Sequence, residues 1–236
     1  MQVRPIKTRV FKERENLAAF IREHIPNLKD GSVLVITSKI IGLAEGRTVA
    51  DTGEKSKERT IKAESDSAVK TKYVWLTMKD GMLMANAGLD ASNAGGKFIL
   101  LPADSFVCAR KARAILKKLY RVKKLGILIT DSHTAPLRAG VTGVALGYAG
   151  FKGIRDYRNM PDLFGRKFKF SQANVADGLA ASAVLVMGEG KERTPLAVIE
   201  DAPVAFTETV NRKELFIPLK DDMYLPFLSK LPKRKK

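Results

Sequence analysis

Three short stretches of this chain set oxygen-bearing side chains among glycines or at the end of an apolar run. The first is Asn86-Ala87-Gly88-Leu89-Asp90-Ala91-Ser92-Asn93, where Asp90 and Asn93 offer a carboxylate and an amide on a backbone left open by small residues. The second is Asp131-Ser132, which follows the apolar run Gly126–Thr130. The third is Gly188-Glu189-Gly190, a carboxylate between glycines at the end of a small-residue run. Together they supply two Asp, one Glu, one hydroxyl and one amide. Hard oxygen donors of this kind suit Mg²⁺ or Mn²⁺ holding phosphates rather than zinc. An ionised carboxylate at the mouth of a buried strand is costly unless something positive faces it. Each stretch also has an ordinary reading: an Asx-rich turn at 86–93, a turn-starting or capping aspartate at 131, and a helix C-cap at 188–190. Local sequence leaves both readings open.

Other elements must bring these stretches together. Asn16–Ile25 has helical spacing, with Asn16 as its cap and Pro26 as its stop. Ser32–Thr37 reads as a short buried strand, followed by Lys39–Ala44 and a turn at Glu45-Gly46. Asp51–Lys72 is polar and charged, either a helix or a mobile excursion. Asp80-Gly81, between Tyr73–Met78 and Met82–Asn86, signals a hairpin. Phe98–Leu101 reads as a strand, Ser105–Tyr120 as a basic amphipathic helix, and Gly126–Thr130 as a buried strand that ends on Asp131. Gly143–Gly147 is a Gly-rich return, Lys167–Phe170 an edge strand, and Asn174–Met187 a helix of small residues that must pack closely. Strands and helices mix without regular alternation, which predicts an α+β fold rather than a doubly wound sheet. With no repeat and no linker in view, residues 1–229 read as one unit and 230–236 as a solvated basic tail.

The 236 residues are 45% hydrophobic, enough for a sizeable core and too apolar for general disorder. No apolar run reaches the ~20 residues of a bilayer span, and the N-terminus lacks the apolar core of a signal peptide. One cysteine, Cys108, leaves no internal disulfide and no cysteine-based zinc cluster. These absences predict a cytoplasmic protein without a membrane partner. The net charge of +17, from 42 Lys and Arg against 25 Asp and Glu, suits an anionic partner. The positive charge is widely spread, however, and the 7% of aromatic residues do not interleave with it, so nucleic acid is not the expected partner. His24 reads as structural and His133 as a secondary site residue. There is no Walker A loop, no GxSxG elbow and no dinucleotide fingerprint.

The order and wording of these stretches resemble the coenzyme F-420-0:L-glutamate ligase family, the γ-glutamyl ligases of deazaflavin cofactor synthesis. The resemblance runs over nearly the whole chain. It is strongest in VLVITSKIIGLAEGR (Val33–Arg47), NAGLDASN (Asn86–Asn93), GILITDS (Gly126–Ser132), DLFGR (Asp162–Arg166) and VMGEG (Val186–Gly190). It implies a single α+β mixed-sheet unit in an intertwined homodimer. The implied activity joins L-glutamate to a carboxylate of an anionic acceptor through an acyl phosphate, with GTP (or ATP) as co-substrate and two Mg²⁺ or Mn²⁺ ions. By the resemblance, Asp90 and Asp131 hold one metal, and Ser132 and Glu189 the other. Asp131 and Arg138 are its catalytic candidates. Lys12, Ser38, Lys39 and Asn93 are its nucleotide contacts, and Met187, Gly188 and Gly190 open the nucleotide loop. The donor types agree with that chemistry, because cations bridging phosphate oxygens neutralise charge as a γ-phosphoryl group moves.

Some positions depart from the family pattern. Thr134 and Ala135 stand where the family has Gly-Arg after its TDS or TDT triplet, leaving only the later Arg138. Leu43 replaces a lysine expected near the AEG turn, and Lys191-Glu192-Arg193 replaces a further glycine-rich run. A lost phosphate clamp bears on the acceptor, so a folate-type polyglutamyl ligase is the rival within the class. A non-catalytic relative that binds nucleotide or nucleic acid is the rival outside it. That rival predicts salt-sensitive polyanion binding that persists in Asp131→Asn.

Overall fold

A computed structural model describes residues 1–228, so the basic tail read at 230–236 lies outside the described residues. In chain order the first elements are β1 (Gln2–Ile6), α1 (Leu17–His24), β2 (Ser32–Thr37), α2 (Ser38–Ala44), β3 (Thr48–Ala50), α3 (Glu54–Glu64) and β4 (Ser67–Lys70). Next come β5 (Trp75–Lys79), β6 (Met82–Ala85), β7 (Lys97–Ile99), α4 (Ser105–Tyr120), β8 (Leu125–His133) and β9 (Thr142–Ala149). The last are β10 (Ile154–Asp156), β11 (Gln172–Asn174), α5 (Val175–Met187) and β12 (Leu196–Glu200).

Unbroken apolar runs mark strands covered on both faces, and those of β2, β8 and β12 lie together in a five-stranded sheet ordered β1-β12-β2-β8-β9. Only β2 and β8 are parallel; the other neighbours are antiparallel, so the sheet is mixed. Alternation along β2 sends Leu34 and Ile36 to one face, where they pack with Phe20 of α1, Ile40 of α2 and Leu116 of α4. Val33 and Val35 face the other way, onto Leu179, Ala180 and Ala183 of α5. The small residues of α5 allow a close approach: a Cβ added to Gly143 of β9 would lie 2.3 Å from the Ala180 carbonyl oxygen. Mixed strands and helices over both faces agree with the α+β expectation.

The caps follow the sequence. Asn16 accepts a hydrogen bond from Ala19 N at 3.0 Å, and Asn174 accepts one from Asp177 N at 3.0 Å. Asp80 and Gly81 both take positive φ between β5 and β6, as a tight two-residue hairpin turn requires. His24 is structural as read, stacked on Phe20 with its Nδ1 2.9 Å from the Phe20 carbonyl.

Four readings need correction. The strand read at Gly126–Thr130, with Asp131, Ser132 and His133 at its end, spans Leu125–His133, so Asp131 is a strand residue and starts no turn. Gly143–Gly147 is part of an eight-residue strand rather than a loose return. Lys167–Phe170 forms no strand, only an isolated bridge between Pro161 and Lys167 and turn bonds that join Phe168 to Asn159 and Met160. The polar stretch 51–72 holds the helix that is one of its two readings, α3, but then also β4, which adds to β5 and β6 as an antiparallel sheet. Strands β1 and β12 were not expected at all. After β12 the chain is mostly irregular, with a 3-10 turn at Leu219–Asp221 and a short helix at Leu225–Leu228, and is clasped to the core: Glu208 accepts bonds from Arg113 (2.7 and 2.8 Å) and Lys117 (3.0 Å). Glu214 accepts bonds from the Tyr148 hydroxyl (2.5 Å) and Gly153 N (2.7 Å). Among the described residues no helix is long and apolar enough to cross a membrane.

Candidate active site

Parallel pairing of β2 and β8 brings their C-terminal ends to the same edge, with Thr37 opposite Thr130. The residues that follow, Ser38-Lys39 at the start of α2 and Asp131-Ser132 in the extension of β8, therefore share one place. Asp90 reaches it from the β6–β7 connection, its backbone bridged to Ile99 by bonds of 2.8 and 3.0 Å. Before it, Asn86, Ala87 and Gly88 take φ of 53°, 54° and 71°. Such successive left-handed residues persist only where neighbours hold them. Here Asn86 Oδ1 accepts from Trp75 N at 3.0 Å, and the buried Thr77 hydroxyl accepts from Ala87 N at 2.8 Å while donating to the Met84 carbonyl. Glu189 arrives from α5, which stops at Gly188 with φ 77°.

These segments line a cleft of about 660 Å³. From the first half of the chain it takes Ser38, Lys39, Asp90, Ser92 and Asn93; from the second, Asp131, Ser132 and the loop Met187-Gly188-Glu189-Gly190. Lys12 and Arg138 do not line it. Lys12 is exposed between Phe11 and Glu13, which do, and Arg138 sits in the exposed connection of β8 to β9. Of the positions that depart from the family pattern, Leu43 lines the cleft, Lys191, Glu192 and Arg193 continue its rim, and Ala135 accepts a turn bond from Arg138 N.

Lys39 Nζ lies 2.7 Å from Asp90 Oδ2 and donates to the Ser92 carbonyl (2.9 Å) and hydroxyl (3.0 Å). Ser92 N donates to Asp90 Oδ1 at 2.6 Å. Burial pushes the Asp90 carboxyl up, but the bonds from Lys39 and Ser92 outweigh it and hold the group below its usual range. Asp131 has the opposite balance. Burial pushes it up to about 6, with Asp90 and Glu189 adding like charge, while the Ser132 N–H and the Ser38 hydroxyl pull it down. Ser132 Oγ donates to Glu189 Oε1 at 2.6 Å. Among the described residues no three His, Cys, Asp or Glu groups form a ready-made metal cage. The donor types nonetheless fit divalent cations: the carboxylates of Asp90 and Glu189 both act on Asp131, Ser132 Oγ bonds Glu189, and Lys39 pairs with Asp90 at one side of the group.

Sequence reading missed several participants. Ser92 lies inside NAGLDASN, yet its link to Lys39 spans 53 residues and shows only in three dimensions. Glu13, also on the cleft, accepts from Lys97 Nζ (2.6 Å) and the Thr48 hydroxyl (2.7 Å). A second, smaller cavity of about 150 Å³ shares Gly88, Asp131 and Ser132 with the cleft, and His133 and Thr134 stand on its wall. Its signal in the sequence was the alternation of Met82 and Met84, which read only as hairpin strand.

The family model described as F420-0:Gamma-glutamyl ligase matches residues 5–201. The chain belongs to this family. Proteins named Coenzyme F420:L-glutamate ligase are similar over most of their length. One from Methanopyrus kandleri is 36% identical over 213 residues, covering 82% of this chain and 83% of that protein. One from Methanococcus maripaludis is 33% identical over 215 residues, covering 84% and 86%. A third, from Archaeoglobus fulgidus, is 33% identical over 214 residues, covering 83% and 85%. The F420-0 ligase match contains every cleft residue named above and ends before Glu208 and Glu214.

Proposed function

We propose that the chain is an amide ligase that joins the amine of L-glutamate, or a similar amino acid, to a carboxylate of an anionic acceptor of the F420-0 type. In this reading it consumes GTP or ATP, needs two divalent cations (Mg²⁺ or Mn²⁺), and works as a homodimer. One observation carries it: Asp90, Asp131 with Ser132, and Glu189, from three separate segments of a chain of this family, meet in one cleft that Lys39 also lines.

Asp90 and Asp131 hold one cation, and Ser132 and Glu189 the other. When bound, such cations neutralise phosphate oxygens as the γ-phosphoryl group is transferred. Lys39 carries an ammonium on a flexible stem, able to leave Asp90 for a phosphate oxygen. Ser38 steadies the Asp131 carboxyl through its hydroxyl. Asn93 contacts the nucleotide, and the loop from Met187 to Gly190 offers its backbone to the phosphates. The acceptor's carboxylate attacks the γ-phosphorus, giving an acyl phosphate and the nucleoside diphosphate. The amine of glutamate then attacks the acyl carbon, forming the amide and releasing phosphate and a proton. Lys12 and Arg138, outside the cleft, receive no step.

The test is to incubate purified protein with F420-0, L-glutamate, GTP or ATP, and Mg²⁺ or Mn²⁺. The expected result is an acceptor heavier by a glutamyl residue, with equimolar phosphate and nucleoside diphosphate. No gain in mass and no nucleotide hydrolysis, with F420-0 or a folate-type acceptor, overturns the reading.

A further inference from the structure

The smaller cavity shares Gly88, Asp131 and Ser132 with the cleft but differs from it in chemistry. One wall is β6, where the period of a strand puts Met82 and Met84 on one face. The other is β9, which contributes Val144 and Leu146. Leu146 is the extra residue of an irregular pairing: Ile129 faces Gly147 while the next residue, Thr130, faces Ala145. Two positions apart on the strand, Leu146 and Val144 both stand on the cavity wall. Both methionines are only half-buried, and Met84 is fixed through its carbonyl, which accepts from Thr77 Oγ1 at 2.7 Å.

Charge separates the two cavities. Arg9, Lys39, Lys97, Lys191 and Arg193 line the large cleft, whereas among the described residues no Lys or Arg lines the small one. A nucleotide's phosphates belong where the cations are. Free glutamate is also excluded from the small cavity, since its second carboxylate would be buried there without a partner. Volume agrees: 660 Å³ is in the range of a nucleotide site, and 150 Å³ holds only part of a ligand. A pocket walled by Met, Val and Leu takes an apolar or aromatic fragment, and thioethers adapt well to a flat ring face.

We infer that the pocket between β6 and β9 is the acceptor's subsite. It holds an uncharged, apolar or aromatic part of the acceptor and delivers the neighbouring carboxylate to Asp131-Ser132, where the two cavities meet. This rests on the ligase reading above, and it adds the side from which the acceptor approaches. The acceptor thus enters past the β5–β6 hairpin while the nucleotide occupies the cleft beyond Asp131.

The test uses the whole chain with F420-0, L-glutamate, GTP and Mn²⁺. Met84→Trp fills the pocket, and Val144→Trp fills it from the opposite wall. Thermal unfolding first identifies which of them fold. The expected result is a KM for F420-0 raised about tenfold or more in either filled variant. The KM for GTP stays within about twofold in the same variants. Equilibrium dialysis of F420-0 should show the same loss of binding without turnover. Turnover in the parent with an unchanged KM for F420-0 in a folded Trp variant overturns the inference and leaves the ligase reading intact. A selective rise in the KM for GTP overturns it too, giving the pocket to the nucleotide. Absence of turnover in the parent overturns the ligase reading instead. Dialysis then still judges the pocket, because equal binding by parent and Trp variants, or none by the parent, sinks it.

Discussion

Asp131 stands between two other carboxylates, and burial pushes it up to about 6. Its negative charge is thus held against the preference of its surroundings, which is the condition of a group built to meet a cation. Asp131→Asn keeps the shape and removes the charge. Metal-dependent turnover should fall by at least about 100-fold, while the unfolding midpoint measured without metal stays the same or rises as the repulsion from Asp90 and Glu189 disappears. Turnover near the parental rate would remove Asp131 from the machinery. The identity of Asp131 was legible in the sequence because a carboxylate directly after an apolar run is conspicuous. Its companions were less so. The Lys39 ammonium that neutralises Asp90 lies 51 positions before it, and the Ser132 hydroxyl meets Glu189 across 57. No local spacing encodes such contacts; they follow from strand register.

At the scale of elements, the close packing of α5 on β9 makes a differential prediction from two glycines. A Cβ at Gly143 would meet the Ala180 carbonyl oxygen at 2.3 Å and its carbon at 2.6 Å, both backbone atoms that cannot swing aside. Gly143→Ala should destabilise by about 1–3 kcal/mol, seen as a lower midpoint in urea with an unchanged slope. Gly178, exposed within α5, has nothing within 4 Å of its missing Cβ. Gly178→Ala should therefore stabilise by about 0.5–1 kcal/mol through helix propensity. Equal effects in the two variants would contradict the packing described. Elements β2, α1, α4 and α5 were readable because each has a continuous apolar pattern or a capping side chain. β1 was not, since Gln2–Ile6 contains a proline and a charge and lies at the sheet's edge, exposed on alternate residues. β12 was missed because its five residues, Leu196–Glu200, follow a loop of charges and glycines that read as site rather than scaffold.

Across the whole molecule, an excess of 17 positive charges makes every ionised carboxylate valuable. Glu208 is held down to about 2 by its bonds to Arg113 and Lys117, and Glu15 to about 2 chiefly by Arg9. For carboxyls depressed on folding, the stabilisation is present above the ordinary value near 4.5 and is lost as pH falls toward 2. The unfolding midpoint should therefore drop across that window. Glu208→Gln should flatten part of the drop, and added salt should shrink the difference, since the Glu208 side chain is 71% exposed. A midpoint independent of pH between 4.5 and 2 would contradict these pairings. The clasp that Glu208 and Glu214 form also decides where a usable fragment of this chain can end. A clone cut at residue 201, where the family pattern stops, would strip the buried Tyr148 hydroxyl of its partner and leave the Arg113 guanidinium with only the Leu125 carbonyl. Each buried polar group so abandoned costs about 1–3 kcal/mol, so residues 1–201 should express as insoluble material where 1–228 gives soluble protein. The stretch that the family model matches and the stretch that the fold closes over are different lengths here, and the second is longer.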